Sequence, residues 1–364
     1  KHNILLKQAE LNNQIQKNNT LQSKANILPT VNAGAAHTYN FGRTIDRFTN
    51  TFANTQVLSQ NLFVSSNLLL WSGLSQFNTI KANEYAYKAG AENIKQQQYD
   101  LSLNVATAYI NVIYSDELLV IAKNQFDITK QQYERTLKLS DAGTVAKSMV
   151  FDIKAQLANE EVNVTTADNN YQLAMLTLMQ FMNLDSLNNF KISKPDVEVQ
   201  SENLLTNSVQ NIYETALKNQ PSIKSAEYNL KMAEKSLAAA KGRVSPTISL
   251  NGSIGTGYSG LAKEVTGVNV TGYDTTAVTT GGDFVLSPTY LPTTRDIPFT
   301  DQYKDNVNKS IGITLSVPIF NGLQTYTSVK NAKINALNAK YSQDLAEQTL
   351  YKNIAQAFAN ARAA

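Results

Sequence analysis

Two spacings of apolar residues run through this chain and predict two kinds of element. From Leu101 the steps alternate between four and three residues, through Val105, Ala108, Val112, Ser115, Leu119, Ala122, Phe126, Thr129 and Tyr133. That is the heptad seam of a helix packed on another helix, and its small members let the neighbour come close. Residues 74–139 hold no proline and one glycine, Gly90, so a single helix is predicted there. At about 1.5 Å per residue it would run on the order of 100 Å. A break follows at Asp141-Ala142-Gly143-Thr144, after which the spacing resumes with Ile153, Leu157, Glu160, Val164, Ala167, Tyr171, Ala174, Leu178 and Phe181. The two runs predict an antiparallel helical hairpin that turns at Gly143. Residues 3–27 and 209–241 also read as helices.

The second spacing is two. Ile248, Leu250 and Ile254 alternate with Thr247, Ser249, Asn251 and Ser253; Ile311, Ile313, Leu315, Val317 and Ile319 alternate with Ser310, Gly312, Thr314 and Ser316. Val31, Ala33, Ala35, Tyr39 and Phe41, and then Leu62, Val64, Leu68 and Leu70, follow the same rhythm less regularly. Such alternation fits a half-buried strand in a water-soluble sheet. It equally fits a tilted membrane strand of about ten residues with one face to lipid and one to water. An uncharged Ser/Thr/Asn/Gly face suits the second, as do Tyr39, Phe41, Trp71, Tyr258 and Phe320 at the strand ends, where aromatic residues mark a membrane interface. Four strands cannot close a barrel, and lipid tolerates no open sheet edge. Membrane strands here would require several copies to close one ring.

Most of the chain occurs twice. Moving Lys7, Ala9, Glu10, Asn12, Lys24 and Pro29-Thr30 forward by 217 positions gives Lys224, Ala226, Glu227, Asn229, Lys241 and Pro246-Thr247. Beyond the strands the offset is 249, pairing Gly73-Leu74 with Gly322-Leu323, Lys81 with Lys330, Asn104 with Asn353 and Asn111 with Asn360. Each copy is predicted to form helix–strand–strand–helix, and the second carries 249 − 217 = 32 further residues between its strands.

Composition narrows the function. A net charge of +3 over 364 residues, with no basic stripe, argues against a nucleic-acid partner. The absence of cysteine excludes disulfides and thiolate metal sites, and fits an envelope protein. With only His2 and His37, a histidine-built metal centre or triad is not expected. No run of roughly 20 apolar residues stands out as a membrane helix, and the chain opens on no charged-then-apolar leader. Lys1-His2-Asn3 aligns inside a helix and Ala364 ends inside one, so a leader, an N-terminal cap and the end of the second copy are expected outside this sequence.

Several apparent motifs dissolve on inspection. Gly255-Thr256-Gly257-Tyr258-Ser259-Gly260 has the dinucleotide spacing, but that fingerprint needs a helix opening at its last glycine. A proline- and glycine-bearing loop over about 260–305 is expected instead. Glu160 and Glu161 point about 100° apart on a helix and do not converge on one substrate. His37 reads as an interface residue on the apolar face. Tyr85, Tyr87, Tyr99, Tyr109 and Tyr114 read as packing residues, and Asp141 and Lys147 as a solvated turn or a partner contact. No catalytic, cofactor or metal residue is assigned.

Taken together, the Leu28-Pro29-Thr30-Val31 and Ser245-Pro246-Thr247-Ile248 strand starts, the Pro318-Ile319-Phe320-Asn321-Gly322 strand exit, the 141–148 tip, Asp152-Ile153-Lys154-Ala155-Gln156 and the duplication resemble the TolC-type outer-membrane efflux channels. The resemblance spans essentially the whole chain. It implies a mixed α and β fold: long antiparallel coiled-coil hairpins forming an α-barrel, plus four transmembrane strands per protomer in a twelve-stranded homotrimeric barrel. The expected parts are a periplasmic helix (1–29), two barrel strands (30–70), a long hairpin (71–184) and an equatorial irregular segment (185–208). A second-copy helix (209–245), two more strands with a long external loop (246–320) and the start of a second hairpin (321–364) complete them, its tip lying beyond Ala364.

In such a channel Ser140, Asp141, Ala142, Gly143, Thr144, Val145, Ala146, Lys147 and Ser148 would meet a periplasmic membrane-fusion adaptor bound to an inner-membrane pump. Val31, Leu62, Val64, Ile248, Leu250, Ile254, Ile311, Ile313, Leu315 and Val317 would face outer-membrane lipid. Met149 departs from the acidic or small polar residue common at related tips. The resemblance implies passive export through the outer membrane without a cofactor, leaving drug efflux and type I polypeptide secretion both open. The lack of Met or His clusters gives metal export no support. The reading from another class is a soluble or surface-associated coiled-coil scaffold without a pore.

Overall fold

The structure, a computed structural model, describes residues 3–54, 56–184, 192–194 and 208–363. The elements in order are α1 (Ile4–Ala25), β1 (Thr30–Asn40), β2 (Thr44–Asp46), β3 (Thr51–Ala53), β4 (Val57–Trp71), α2 (Ser75–Asp141), α3 (Lys147–Met182), α4 (Val209–Asn219), α5 (Pro221–Gly242), β5 (Thr247–Ser259), β6 (Lys263–Val278), β7 (Phe284–Asp296), α6 (Phe299–Asp305), β8 (Asn308–Ser316) and α7 (Gln324–Ala363). They fall into two compact units. One comprises residues 1–20, 81–237 and 331–364, and the other residues 21–80 and 238–330.

The first unit is helical. Every seam position from Leu101 to Tyr133 and from Ile153 to Phe181 is buried or half-buried. Ala108 and Val112 of α2 meet Ala174, Met175 and Leu178 of α3 in one cluster, with Val105, Tyr109, Tyr171 and Phe181 packed against it. The 4-3 spacing thus sets the antiparallel pairing. Tyr85 stacks on Tyr228 of α5 at 6.2 Å; Tyr213 of α4 meets Tyr351 of α7 edge-on at 5.4 Å. Helix 209–241 of the sequence reading is two helices. Gln220 is extended (φ −66, ψ 124) because Pro221 disfavours a helical residue before it and itself suits a first helical position.

One window of α2 is long and apolar enough, by length and composition, to cross a membrane, contrary to the sequence expectation. Beside the seam, α2 carries a second apolar set, Leu103, Ile110, Leu118, Val120 and Ile121, which is exposed. Residues 192–194 lie against α2. Tyr109 Oη donates to the Ser193 carbonyl at 2.6 Å, and Lys194 Nζ sits 2.6 Å from Glu117 and 2.9 Å from Asp116. Hydrogen bonds to Glu117 and then Asp116 raise the Lys194 pKa. The rest of the expected irregular segment 185–208, apart from Ser208, lies outside the described residues.

The second unit is built on a four-stranded antiparallel sheet ordered β1-β4-β5-β8. Thr30 pairs with Asn67 at one end of β1–β4, Val64 with Ile254 in β4–β5, and Thr247 with Ser316 in β5–β8. Among the described residues, β1 and β8 each leave one edge unpaired. The sequence reading missed three features of this unit. A short β2–β3 hairpin, pairing Thr44–Asp46 with Thr51–Ala53, stands between β1 and β4. The expected loop over about 260–305 is largely a hairpin, β6–β7, followed by α6. β8 ends at Ser316, so Val317 follows the strand rather than belonging to it.

The β6–β7 hairpin escaped detection because its alternation is broken by bulges. Register shifts fall at Val265/Gly267, Val270/Gly272 and Thr275/Ala277, each adding one unpaired residue and resetting the two-residue rhythm. The skipped residues are threonines, and Thr266, Thr271 and Thr276 donate to the carbonyls of Thr293, Thr289 and Val285 at 3.2, 3.3 and 3.2 Å. Those odd-numbered β7 carbonyls face β6. Pro288 and Pro292, of opposite parity, therefore face outward, where their lack of an N–H breaks no ladder bond.

Candidate functional site

Residues directly opposed across an antiparallel pair share a face, so the registers sort the sheet. One face carries Val31, Ala33 and Ala35 of β1, Leu62 and Val64 of β4, Ile248, Leu250 and Ile254 of β5, and Ile311, Ile313 and Leu315 of β8. Nine of the ten residues expected to meet lipid are thus side by side; Val317 continues their parity past the strand. Val31 is 66% exposed, Ile311 81% and Ile313 71%, an uncovered apolar surface of the kind that marks an interaction face. His37, Gln60, Thr256 and Lys309 interrupt it toward the end distant from α1 and α2. There Gln60 Nε2 lies 2.8 Å from His37 Nδ1.

The other face is uncharged and mostly polar: Thr30, Asn32 and Thr38; Ser59, Asn61, Ser65 and Asn67; Thr247, Ser249, Asn251 and Ser253; Ser310, Gly312, Thr314 and Ser316, with Ala36, Val57 and Leu69 among them. Its side chains bond sideways across strands. Asn67 Nδ2 donates to Asn251 Oδ1 at 2.6 Å, Asn251 Nδ2 to Thr314 Oγ1 at 2.9 Å, and the Ser253 and Ser310 hydroxyls meet at 2.8 Å. These bonds favour one register, because a slip of one residue would exchange the faces.

The sequence reading missed Phe63, which lies on this polar face between Leu62 and Val64. Its ring covers Gly34, where an added Cβ would stand 2.6 Å from Phe63 Cζ. The signal was the pair of glycines, Gly34 and Gly255, that flank it in register. The dinucleotide-like glycines prove to be strand residues, Gly255 and Gly257 inside β5 and Gly260 in the turn to β6, with no helix following.

The tip is closed by a glycine cap on α2. Gly143 has φ +77; its N–H donates to the Ser140 carbonyl at 3.0 Å, and Thr144 N–H donates to Leu139 at 2.9 Å. That is the bond pair of a Schellman turn, with glycine at its left-handed position. Asp141, Ala142, Gly143, Thr144, Ala146, Lys147 and Ser148 are exposed, Ser140 and Val145 half-buried. Ala146 caps α3 in an extended conformation (φ −71, ψ 143) with no side-chain bond. Leu139, Met149 and Phe151 expose apolar surface beside the turn. Glu160 is half-buried and accepts from Asn163 at 3.1 Å, whereas Glu161 is exposed.

The family model described as "Outer membrane efflux protein" matches residues 1–184 and 212–364. The chain is 25% identical over 354 residues to outer membrane protein TolC of Escherichia coli (strain K12), covering 94% of this chain and 62% of that protein. It therefore spans about three fifths of the length of such curated relatives. Among solved structures it resembles VceC of Vibrio cholerae (TM-score 0.74, 15% identity, 98% of this chain and 75% of that one). It also resembles the MtrE outer membrane channel of Neisseria gonorrhoeae (TM-score 0.72, 18% identity, 98% and 70%). At these identities the structural likeness shows the fold alone.

Proposed function

Because the chain belongs to the outer membrane efflux protein family, we propose that it is the exit duct of a tripartite efflux or type I secretion system. In this reading three copies close a twelve-stranded barrel in the outer membrane, with helical hairpins continuing the duct into the periplasm. Transport is passive and uses no cofactor. Substrate choice resides in the inner-membrane pump and the adaptor, because a Ser/Thr/Asn/Gly wall offers hydrogen bonds to almost any solute.

The observation that carries the proposal is the two-faced sheet: apolar residues uncovered on one side, an uncharged polar wall on the other, and two unpaired edges that lipid does not allow to stay open. The duplication adds a closure rule. Moving Thr30 by 217 gives Thr247 and Asn67 by 249 gives Ser316, and both Thr30–Asn67 and Thr247–Ser316 are pairs in the sheet. Gly73-Leu74 and Gly322-Leu323 also share left-handed backbones, φ +60 and +62 against +62 and +66. Two like halves per protomer suit a ring in which each neighbour continues the same pattern. The pore-free scaffold is not favoured, since it leaves this apolar face uncovered.

A photoactivatable reagent confined to the hydrocarbon phase tests the lipid face. Ile311, Ile313 and Leu315 are expected to be labelled and Thr314 and Ser316 spared; intact assemblies with none of the three labelled would exclude the pore. The adaptor contact is tested separately by Ala146→Arg. Its extended, exposed backbone accepts any side chain, so trimers should form in normal amounts. A docking penalty of about 1.4 kcal/mol would already weaken the contact tenfold, and export should fall accordingly. Undiminished export would remove the tip from the contact.

A further inference from the structure

We infer that the β2–β3 hairpin is a size-limiting collar over the outer mouth of the duct, with Phe48 its narrowing residue; the inference rests on the pore reading above. Strand parity places Gly257 and Ser259 on the same face as Asn251 and Ser253, the face assigned to the lumen. The hairpin lies on that face. Ser259 Oγ donates to Asp46 Oδ2, and both residues are fully enclosed, Ser259 at 0% and Asp46 at 3% exposure. Asp46 Oδ1 in turn accepts from Phe48 N–H at 3.0 Å, and its carbonyl accepts from Asn50 N–H at 2.8 Å. The Phe48 ring then covers Gly257 so closely that an added Cβ would stand 2.1 Å from its Cζ.

The seat is rigid because α6 clamps the same strand end. Gln302, 3% exposed, accepts from Ser259 N–H at 2.9 Å and donates to the Ser259 carbonyl at 3.1 Å. Tyr303 O accepts from Thr256 Oγ1 at 2.7 Å on the opposite face. A buried carboxylate–hydroxyl contact whose loss would strand a charge is costly to break, so the hairpin is a fixed collar and not a free loop. Three copies would set three such hairpins around one opening, at the strand ends distant from α1 and α2.

The chain has no cysteine, which permits a direct test in intact cells. A single Ser65→Cys reporter on the polar face is exposed to two external, membrane-impermeant maleimides, one small and one bearing a long polyethylene glycol chain. It is placed in the full chain, in a Phe48→Ala chain and in one with residues 44–53 replaced by a short Gly-Ser turn. The long reagent is expected to react about tenfold faster in both altered chains, as pore radius governs entry. Equal rates in all three overturn the collar while leaving the pore in place. If position 65 of the trimmed chain resists even the small reagent yet reacts once unfolded, the pore reading fails and the collar with it.

Discussion

Gly73→Ala is expected to lower the stability and yield of the folded protein sharply, whereas Gly322→Ala, its counterpart in the other half of the chain, is expected to leave the protomer fold intact. Both glycines hold left-handed backbones, φ +60 and +62, and an alanine there costs about 1–2 kcal/mol from Cβ crowding alone. They differ in surroundings. A Cβ at Gly73 would stand 2.3 Å from the Gly242 carbonyl oxygen and 2.4 Å from Ser245 Cβ, while one at Gly322 meets nothing within 4 Å. Gly242 is itself confined, since its own added Cβ would lie 2.5 Å from the Gly73 carbonyl. Two backbones meet here, so neither yields cheaply. Overpacking adds about 1–3 kcal/mol to the strain, a total of about 2–5 kcal/mol that is large against ordinary stability.

Protease resistance and yield of the purified protein measure the first effect. In the ring proposed above, the offset of 217 would carry the place that Gly242 and Ser245 take beside Gly73 to residues 25–28 of the next copy, beside Gly322. If three copies close the ring as proposed, Gly322→Ala should therefore lower the temperature at which trimers dissociate, while the protomer loses only the protease resistance that about 1–2 kcal/mol of backbone strain removes. A Gly73→Ala protein that accumulates and melts like its parent would show that the strand-to-helix turn relaxes around the methyl.

How much was legible depended on whether a rhythm survived undisturbed. The α2–α3 seam follows one spacing from Leu101 to Tyr133, and each of its positions is at least half-buried. The strands β5 and β8 keep a clean alternation, so their faces could be assigned before any contact was known. β6–β7 kept none, because a bulge every five residues shifts the parity before three alternations accumulate. The three-residue strands β2 and β3 are too short to show a period at all. Phe63 was hidden for a different reason. It is apolar on the polar face, tolerated because glycines lie opposite it in both neighbouring strands, a relation visible only in register. The collar joins Asp46 to Ser259 across 213 positions, and no local pattern announces such a contact.

The strand pairing between copies that the proposed ring requires can be tested to the residue. The inner pair β4–β5 places Phe63 opposite Gly255 and Val64 opposite Ile254. If the second half repeats the first, β8 stands to β1 of the next copy as β4 stands to β5. Moving β4 forward by 249 turns Phe63 into Gly312 and Val64 into Ile313; moving β5 back by 217 turns Gly255 into Thr38 and Ile254 into His37. Gly312 should then oppose Thr38 of the next copy, and Ile313 its His37, apolar and polar faces both continuing across the seam. Opposed residues in antiparallel strands alternate between close and wide pairs, so one of these two pairs has the short Cβ separation a disulfide requires. In this cysteine-free chain, Gly312→Cys with Thr38→Cys, or Ile313→Cys with His37→Cys, should convert most of the protein to a covalent trimer on mild oxidation. Gly312→Cys with Ala36→Cys, on the same face but two residues out of step and about 7–8 Å apart, should remain monomeric on a denaturing gel. Cross-linking through Ala36 but not through Thr38 or His37 would mean that the ring closes in another register. The pairing inside the protomer would then not be the template for the pairing between copies.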